Sequence, residues 1–552
     1  MTLIELFNSS CARYSDRIAI SYVNETPMTY ADMKQEVDKI IMTLCRMGVR
    51  KGDRAAILSV NMPNWCIAYF AIVGMGAVVV PILPDFHTGE IQNILQHSGS
   101  KAVFVSQKLR TSVEHLQSES LTHIIAIEDF SILSGKLSDQ AHTTPELSSE
   151  KDTASIIYTS GTTGRSKGVM LSHRNITLNA EMSLQLHDTN TNDVFLSILP
   201  LSHAYENTLA FIMPIMMGSS IYYLRKPPTA SVLVPAMAKV RPTIMLSVPL
   251  IIEKIYRSQV QAKFTESKLL KILYEYVTPF RKIVHRIAGI KLHKTFGGRL
   301  EFMGIGGAKL DFAVERFLRE ARFPYAVGYG LTETSPMIAG SNTSQTCVRG
   351  TGTVLDGVQV KIDNPDPRTG IGEVLAKGET VMQGYYREPE ITREAFTDDG
   401  WFRTGDLGYF DKRKRLYLKG RLKTMIVGAS GENIYPEDIE SVINSFRGVM
   451  ESLVLEQKGR LVAMVYLNMD DLEKIVQQIR TNTLQYFSDK KEGWSKQKDE
   501  LNMQVNIFIE ELKVYVNQHV NKYSQIHSVI VVPVPFEKTP TMKIKRYLYG
   551  RQ

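Results

Sequence analysis

Runs of apolar residues alternate with helical patterns through the first part of the chain. Residues 54–60, 77–83 and 101–106 are short and almost continuously apolar, which is typical of buried strands. Residues 64–74 and 88–99 between them have the length of helices, and the second pattern ends at a glycine. Strands that alternate with helices predict βαβ units and a parallel sheet that helices cover on both faces.

The pattern changes twice farther along the chain. Residues 350–419 are rich in glycine and turn residues between shorter apolar runs, which favours antiparallel strands. Beyond residue 420, two helical patterns alternate with three apolar strand patterns. We therefore predict an α/β fold whose large N-terminal domain, residues 1–420, combines parallel-sheet α/β subdomains with a smaller antiparallel barrel-like region. A small mobile α+β C-terminal domain, residues 421–552, is predicted to follow.

The composition is that of a globular enzyme, because 43% of the 552 residues are hydrophobic and 22% are charged. This excludes a disordered tail protein, a collagen-like repeat and a disulfide-rich miniprotein. The apolar residues 66–83 are interrupted by Gly74, Gly76 and Pro81, so we predict a buried helix and strand there rather than a membrane span. The N-terminus lacks a signal-peptide pattern, and we expect a cytoplasmic protein. Four cysteines without paired spacing are expected to be reduced and mostly buried: Cys11, Cys45, Cys66 and Cys347.

The chain is basic, with a net charge of +8 and a sequence pI of about 9.0, which predicts anionic ligands. It lacks the motifs of nucleic-acid-binding domains, so small phosphorylated ligands are the favoured partners. Residues 254–299 contain 11 Lys and Arg against two acids, a local net charge of +9, with apolar residues interleaved. This segment is either a solvated helical face or a basic amphipathic patch that contacts ligand phosphates or a phospholipid surface. We expect the protein to associate peripherally with the inner face of an anionic membrane.

The most informative segment is YTSGTTGRSKGVMLSH, residues 158–173, which follows an apolar strand pattern. Its glycines allow backbone amides to approach phosphate oxygens, its hydroxyl groups add donors, and Lys167 supplies a positive charge. It is not a Walker loop, because Ser166 and Gly168 stand where that motif requires glycine and a hydroxyl residue. A phosphate-binding loop is therefore predicted.

This loop resembles that of the adenylate-forming superfamily, which includes acyl-CoA synthetases, the adenylation domains of peptide synthetases and firefly luciferase. Ser166 replaces the proline that is common there. Further motifs follow in the order of that family: LPLSHAYE (199–206), GIGGAKL (304–310), GYGLTETSP (328–336), WFRTGDLGYFD (401–411), GRLKTMIVGASGENIYPEDIE (420–440) and KTPTMKIKR (538–546). The resemblance covers most of the chain.

The resemblance implies a site for ATP and AMP. Tyr329 would stack on adenine, Thr332 would contact the α-phosphate, and Asp406 would accept both ribose hydroxyls with Arg421 nearby. Thr159 and Glu333 would bind Mg²⁺, since hydroxyl and carboxylate oxygens suit that ion. The remaining nucleotide-binding residues implied are Ser160, Gly161, Thr162, Thr163, Gly164, Lys167, Gly306, Gly307, Ala308, Gly328, Gly330 and Leu331.

The resemblance also implies catalytic and mobile elements. Lys543 and Glu333 would promote adenylation, and His203 would lie beside the carboxylate of the acid; a structural histidine is the alternative for His203. Lys423 would be the hinge of the small lobe. The pantetheine arm of coenzyme A would run along Gly428, Gly431 and Glu432.

The implied reaction joins a fatty acid to ATP, giving acyl-adenylate and pyrophosphate, and then transfers the acyl group to coenzyme A with release of AMP. A long-chain acid is favoured by the apolar residues after His203, the basic segment 254–299 and the LSHAYE and TPTMKIKR variants of the family motifs. Tyr205 stands where some members have a gating tryptophan. The alternatives are a ligase for a medium-chain or aryl acid such as o-succinylbenzoate, transfer to a carrier protein, and a catalytically silent binding protein.

Overall fold

The computed structural model describes residues 1–114, 116, 118–138, 144–159, 166–256, 277–428, 432–446, 448–457, 459–467, 498–539 and 544–550. Two large sheets and a small C-terminal sheet organise this part of the chain. The helices around them are α1 (Leu3–Arg13), α2 (Tyr30–Arg46), α3 (Pro63–Gly74), α4 (Thr88–Ser98), α5 (Thr111–Glu114), α6 (His173–Ser183), α7 (Ala204–Glu206), α8 (Met213–Met217), α9 (Ala230–Val240), α10 (Pro249–Tyr256), α11 (Thr278–Thr295), α12 (Phe312–Glu320), α13 (Pro389–Glu394), α14 (Pro436–Asn444) and α15 (Lys498–His519).

The first sheet has a parallel centre with antiparallel edges. Its strands in spatial order are β19 (Gly384–Tyr385), β9 (Lys167–Ser172), β8 (Thr153–Thr159), β4 (Val78–Ile82), β3 (Arg54–Leu58), β5 (Ala102–Val105), β6 (His123–Ala126) and β7 (Ile132–Ser134). The predicted alternation of strands and helices over residues 54–106 is confirmed. Helix α4 ends at Gly99, which has a left-handed φ of 62° that favours glycine.

The second sheet changes from parallel to antiparallel at β14. Its strands in spatial order are β17 (Val358–Asp363), β18 (Gly372–Gly378), β20 (Phe402–Phe410), β21 (Arg415–Arg421), β16 (Gly352–Val354), β15 (Met337–Gly340), β14 (Tyr325–Gly330), β13 (Phe302–Ile305), β12 (Ile244–Ser247), β10 (Val194–Ser197), β11 (Ser220–Tyr223), β1 (Ile18–Tyr22) and β2 (Met28–Thr29). The predicted α/β class with an antiparallel region is confirmed. Among the described strands this region extends the large sheet in line and is not closed on itself.

The apolar residues 66–83 are buried, as predicted. Helix α3 and strand β4 lie in this segment, and every residue from Trp65 to Val73 is at most 1% exposed. Aromatic rings pack around α3, with Phe70 stacked on Phe7 and the edge of Tyr69 against Phe211. Within the described ranges, no helix is both long enough and apolar enough to cross a bilayer. All four cysteines lie in the described part of the chain, where they are buried and form no disulfide bond.

The C-terminal part has its own hydrophobic core. It consists of the hairpin β22 (Ile426–Val427) and β23 (Asn433–Ile434), helices α14 and α15, and the sheet of β24 (Val449–Gln457), β25 (Arg460–Leu467) and β26 (Ser528–Val532). Phe508, Leu512 and Val516 recur at helical spacing on α15 and are fully buried. A core separate from the main one supports the division that we propose between residues 420 and 421.

Candidate active site

The predicted phosphate-binding loop connects two paired strands. Thr159 at the end of β8 lies opposite Lys167 at the start of β9, so the hairpin brings these residues together. The loop residues Ser160, Gly161, Thr162, Thr163 and Gly164 lie outside the described residues. The base of the loop therefore lies between the buried strand β8 and a second strand that pairs with it, β9.

Tyr385 links the base of this loop to Glu333. The short strand β19 pairs with β9, and the Lys167 Nζ lies 4.9 Å from the centroid of the Tyr385 ring. The Tyr385 hydroxyl donates a hydrogen bond to Glu333 Oε1 at 3.0 Å. Burial and the neighbouring carboxylate raise the pKa of Tyr385, so this hydroxyl stays protonated and remains a donor. Lys167, which is predicted to contact ATP phosphates, and Glu333, which is predicted to bind Mg²⁺, therefore both contact Tyr385.

Buried polar side chains fix the loop that carries Glu333. The loop runs from the end of β14 through a 3-10 turn, Thr332–Thr334, to β15. Asn179 of α6 is fully buried, donates to the carbonyls of Thr334 and Met337, and accepts from the Met337 amide. Thr208 donates to the carbonyl of Ser335. Because these bonds hold the backbone at the end of the turn and directly after it, the position of Glu333 is well defined.

Asp406, Tyr329 and Arg421 form a second group. Asp406 and Arg421 are register partners in β20 and β21, and the Arg421 Nε lies 3.2 Å from Asp406 Oδ1. The Tyr329 hydroxyl donates to Asp406 Oδ2 at 2.8 Å. Asp406 is only 7% exposed. A carboxylate has about four lone-pair directions, so these two contacts orient it and leave capacity for two further donors such as ribose hydroxyls.

The predicted neighbour of the substrate carboxylate, His203, lies at the beginning of α7. Its Nδ1 accepts a hydrogen bond from the Tyr205 amide at 3.3 Å, so it caps this short helix. The Tyr205 ring lies against the glycines at the end of β13. A Cβ added to Gly306 would be 3.2 Å from this ring. His203 and Gly306, one of the predicted nucleotide-binding residues, thus both contact Tyr205, and Gly307 and Ala308 follow directly in the chain.

The apolar residues after His203 belong to the main core. Leu209, Ala210, Phe211 and Ile212 are at most 5% exposed, and Phe211 packs among the aromatic rings of α3. The expectation that they border an acyl chain rested on composition alone, which does not distinguish a tunnel wall from a packed core. In the segment that follows His203, it is the Tyr205 ring that lies against the glycines at the end of β13.

Glu206 is a buried carboxyl group that the sequence did not single out. It is 1% exposed, and one of its oxygens accepts from the Ser197 hydroxyl at 2.6 Å. Burial raises its pKa to about 8. Asn61 donates to the same hydroxyl and to the carbonyl of Leu199. This network holds the LPLSHAYE segment against the loop after β3.

The C-terminal residues predicted to act on coenzyme A are partly described. Lys423 lies in a 3-10 turn, Leu422–Thr424, directly after β21, and the paired strands β22 and β23 flank the predicted pantetheine residues. The Gly428 amide donates to the Glu432 carbonyl at 2.8 Å across it. Gly431 and Lys543 lie outside the described residues. Lys309, next to Ala308, forms an ion pair with Asp438 of α14, so the C-terminal lobe contacts the loop that carries the predicted nucleotide-binding residues Gly306, Gly307 and Ala308.

Most described site residues therefore belong to connected groups. Gly328, Tyr329, Gly330, Leu331 and Thr332 lie on one segment that joins the Asp406 group to Glu333. Tyr385 and Asn179 were missed because their role depends on pairing across the sheets. Tyr385 stands only in a local GYYREPE pattern, and Asn179 is one polar residue on a helix pattern. No local signal identifies either as a contact of the Glu333 loop.

The chain is similar to known ligases over nearly its full length. The sequence profile of the AMP-binding enzyme family matches residues 7–386. A long-chain-fatty-acid–CoA ligase, FadD15 of Mycobacterium bovis, is 28% identical over 573 residues, which covers 94% of this chain and 90% of the relative. A chloroplastic long-chain-fatty-acid–[acyl-carrier-protein] ligase of Arabidopsis thaliana, AEE15, is 25% identical over 645 residues, which covers 98% of this chain and 84% of the relative.

The fold is also that of solved structures. O-succinylbenzoate coenzyme A synthetase from Bacillus subtilis, in complex with ATP and a magnesium ion, superposes with a TM-score of 0.73 over 98% of both chains at 23% identity. The match of the family profile to more than half of the chain agrees with the motifs and with the groups that the structure assembles. The chain therefore belongs to the AMP-binding enzyme family and is an adenylate-forming ligase.

Proposed function

We propose that this protein is a long-chain fatty acid–CoA ligase that forms acyl-CoA, AMP and pyrophosphate from fatty acid, ATP and coenzyme A. The observation that carries the adenylation step is the contact of Tyr385 with both Lys167 and Glu333. It joins a cation and a carboxylate at the base of a glycine-rich loop, as binding of phosphates and a metal ion requires. The preference for long acyl chains is supported by the similarity to the long-chain-fatty-acid–CoA ligase FadD15 of Mycobacterium bovis.

Adenylation requires that charge on the α-phosphate be stabilised as the fatty acid carboxylate attacks phosphorus and pyrophosphate leaves. Lys167 and, in our proposal, Lys543 supply positive charge, and Asp406 with Arg421 orients the ribose. Glu333 and Thr159 offer the oxygen ligands that Mg²⁺ prefers, and a bound Mg²⁺ would neutralise phosphate charge there. The Tyr385 hydrogen bond holds the Glu333 carboxylate in one orientation.

Thioester formation follows when the sulfur of coenzyme A attacks the acyl carbon and AMP leaves. The approach of the thiol requires space that Lys543 would occupy in the first step, so we propose that the C-terminal lobe rotates about Lys423 between steps. The hairpin of β22 and β23 with Gly428, Gly431 and Glu432 would then border the pantetheine arm.

An acid panel tests the proposed substrate. Pyrophosphate release should depend on long-chain fatty acids and exceed the release with medium-chain acids or o-succinylbenzoate, and acyl-CoA should appear only after coenzyme A is added. Pyrophosphate release confined to short or aryl acids would refute the long-chain preference. No release with any acid would refute the ligase activity as well.

Transfer to a carrier protein is the second candidate, and the similarity to the acyl-carrier-protein ligase of Arabidopsis thaliana favours it. Parallel reactions with coenzyme A and with a phosphopantetheinylated carrier protein separate the two. We expect faster product formation with coenzyme A, and a preference for the carrier would reverse the assignment.

Substitution of the proposed catalytic lysine has a matched control nearby. We expect Lys543→Ala to lower pyrophosphate release by about 10²–10³-fold, the usual cost of losing one charge-stabilising contact. Lys545→Ala removes a lysine two residues away whose Nζ lies 3.3 Å from Glu537, and it should leave the rate unchanged. An equal effect of both variants would indicate a structural rather than a catalytic role for Lys543.

A further inference from the structure

One face of α11 anchors this helix to the large domain. Arg281 forms two hydrogen bonds to Glu320 of α12, at 3.1 and 2.9 Å, and His285 lies 2.8 Å from the same carboxylate. Gly289 permits close approach, because an added Cβ would be 2.7 Å from the Ala321 Cβ and 2.8 Å from its carbonyl oxygen. The inner face is therefore fixed by buried polar contacts and tight packing.

The opposite face of α11 carries an apolar stripe. Ile283, Ile287 and Ile290 are 59%, 64% and 73% exposed. Their spacing of four and three residues places them on one side of the helix. Single exposed aliphatic residues are common on protein surfaces, but three in line on one helix indicate a surface that contacts something apolar.

Cations surround this stripe. Arg286, Lys291 and Lys294 are exposed on or beside the same face, Lys282 is exposed at its edge, and residues 278–295 contain no Asp or Glu. At about 100° per residue, Lys282 and Arg286 lie on one side of the isoleucines and Lys291 lies on the other. Long basic side chains beside an apolar stripe can direct their charges to lipid headgroups while the stripe enters the acyl boundary.

We propose that the α11 outer face, formed by these three isoleucines and four cations, docks the protein on an anionic phospholipid bilayer. Charge complementarity favours this occupant over a second copy of the chain, because two such faces would bring eight cations together without an acid. The reason for such docking rests on the proposed function, because long-chain fatty acids partition into bilayers. The physical claim about the face does not depend on that function.

Co-sedimentation of the full chain with vesicles tests the proposal. We expect binding to vesicles rich in phosphatidylglycerol at low salt, and weak binding to pure phosphatidylcholine or at high salt. Lys282→Gln with Arg286→Gln should lower partitioning by about tenfold or more, since each cation near an anionic surface strengthens it about fivefold. Lys412→Gln with Lys414→Gln removes the same charge from an exposed turn elsewhere and should have a much smaller effect.

The apolar stripe needs its own variants. Ile287→Ser with Ile290→Ser should weaken partitioning by about tenfold or more without changing net charge. Val514→Ser, at an exposed site on α15, is the matched control and should have no effect. Equal loss in the control, or none in the double variant, would overturn the proposed insertion.

A fluorescent probe reports insertion directly. Because the four native cysteines are buried, Ile287→Cys and Val514→Cys can each be labelled at the surface with an environment-sensitive dye. We expect a blue shift on adding phosphatidylglycerol vesicles only for the label at position 287. Equal shifts at both positions, or no shift at 287, would refute docking through this face.

The remaining outcomes also discriminate. If the isoleucine variants change the oligomeric state measured by light scattering but not vesicle binding, the face is an interface between copies and the proposal is wrong. Vesicle binding is measured without substrates, and ligase activity is measured in vesicle-free solution with the acid panel. A negative result for vesicle binding therefore leaves the ligase assay unaffected, and the reverse also holds. The docking proposal and the proposed function can thus be refuted separately.

Discussion

Gly330 lies at the closest backbone approach in the proposed active site. A Cβ built at this position would be 1.8 Å from the Pro336 carbonyl oxygen, 2.6 Å from the Pro336 carbonyl carbon and 3.0 Å from the Met337 Cα. All three contacts are backbone atoms, which cannot rotate away. Gly330→Ala therefore forces the two ends of the loop that carries Glu333 to separate.

The size of the effect follows from these distances. To bring the added Cβ to even 3.0 Å from the Pro336 carbonyl oxygen, the two backbone segments must move apart by about 1.2 Å. The hydrogen bond from the Leu331 amide to the same oxygen, 3.1 Å long, would be strained. A misplacement of about 1 Å can lower a rate by about 10²-fold, and overpacking costs about 1–3 kcal/mol of folding free energy. We expect losses of this order in both quantities.

Gly328→Ala is the matched control in the same strand. Its added Cβ would be 2.7 Å from the Met337 Cε, which is the end of a flexible side chain and can move. We expect less than about a tenfold change in rate. The assay is fatty-acid-dependent pyrophosphate release, with denaturant unfolding of each variant to separate inactivity from loss of fold. Equal rates and equal stabilities of the two variants would refute the reasoning.

Three further predictions concern single polar groups. Asp406→Asn should raise the KM for ATP by about 10–100-fold, because an amide offers one acceptor oxygen where the carboxylate offers two, whereas Asp411→Asn in the turn of the same hairpin should not. Tyr385→Phe removes the donor to Glu333 and should lower the rate about tenfold, with a weaker apparent affinity for Mg²⁺ in metal titrations. For Glu206, burial gives the folded state a pKa of about 8, above the ordinary value near 4.5. Between these two pH values the folded protein binds more protons than the unfolded chain, so the free energy of unfolding falls as pH rises. Glu206→Gln should therefore flatten the pH dependence of the unfolding midpoint between about pH 5 and pH 8, and an unchanged slope would contradict this assignment.

Short-range signals in the sequence determined the elements and the chemistry. Apolar periodicity predicted helix α3 and the strands on either side of it, and the glycine at position 99 predicted where α4 ends, because these features depend on nearest neighbours along the chain. The glycines, hydroxyl groups and lysine of the loop that ends at Lys167 predicted phosphate binding, and the resemblance of GYGLTETSP to the adenylate-forming superfamily implied a magnesium ligand at Glu333.

Tertiary structure decided which side chains meet. The contact of Tyr385 with Glu333 spans 52 residues, and the bonds of Asn179 to the Glu333 loop span up to 158, so only strand order and helix packing bring them together. The same packing assigned Phe211 to the core, buried the Glu206 carboxyl group, and turned three isoleucines of α11 outward. Periodicity identifies an apolar helix face, but burial of that face depends on which surfaces the rest of the fold leaves beside it.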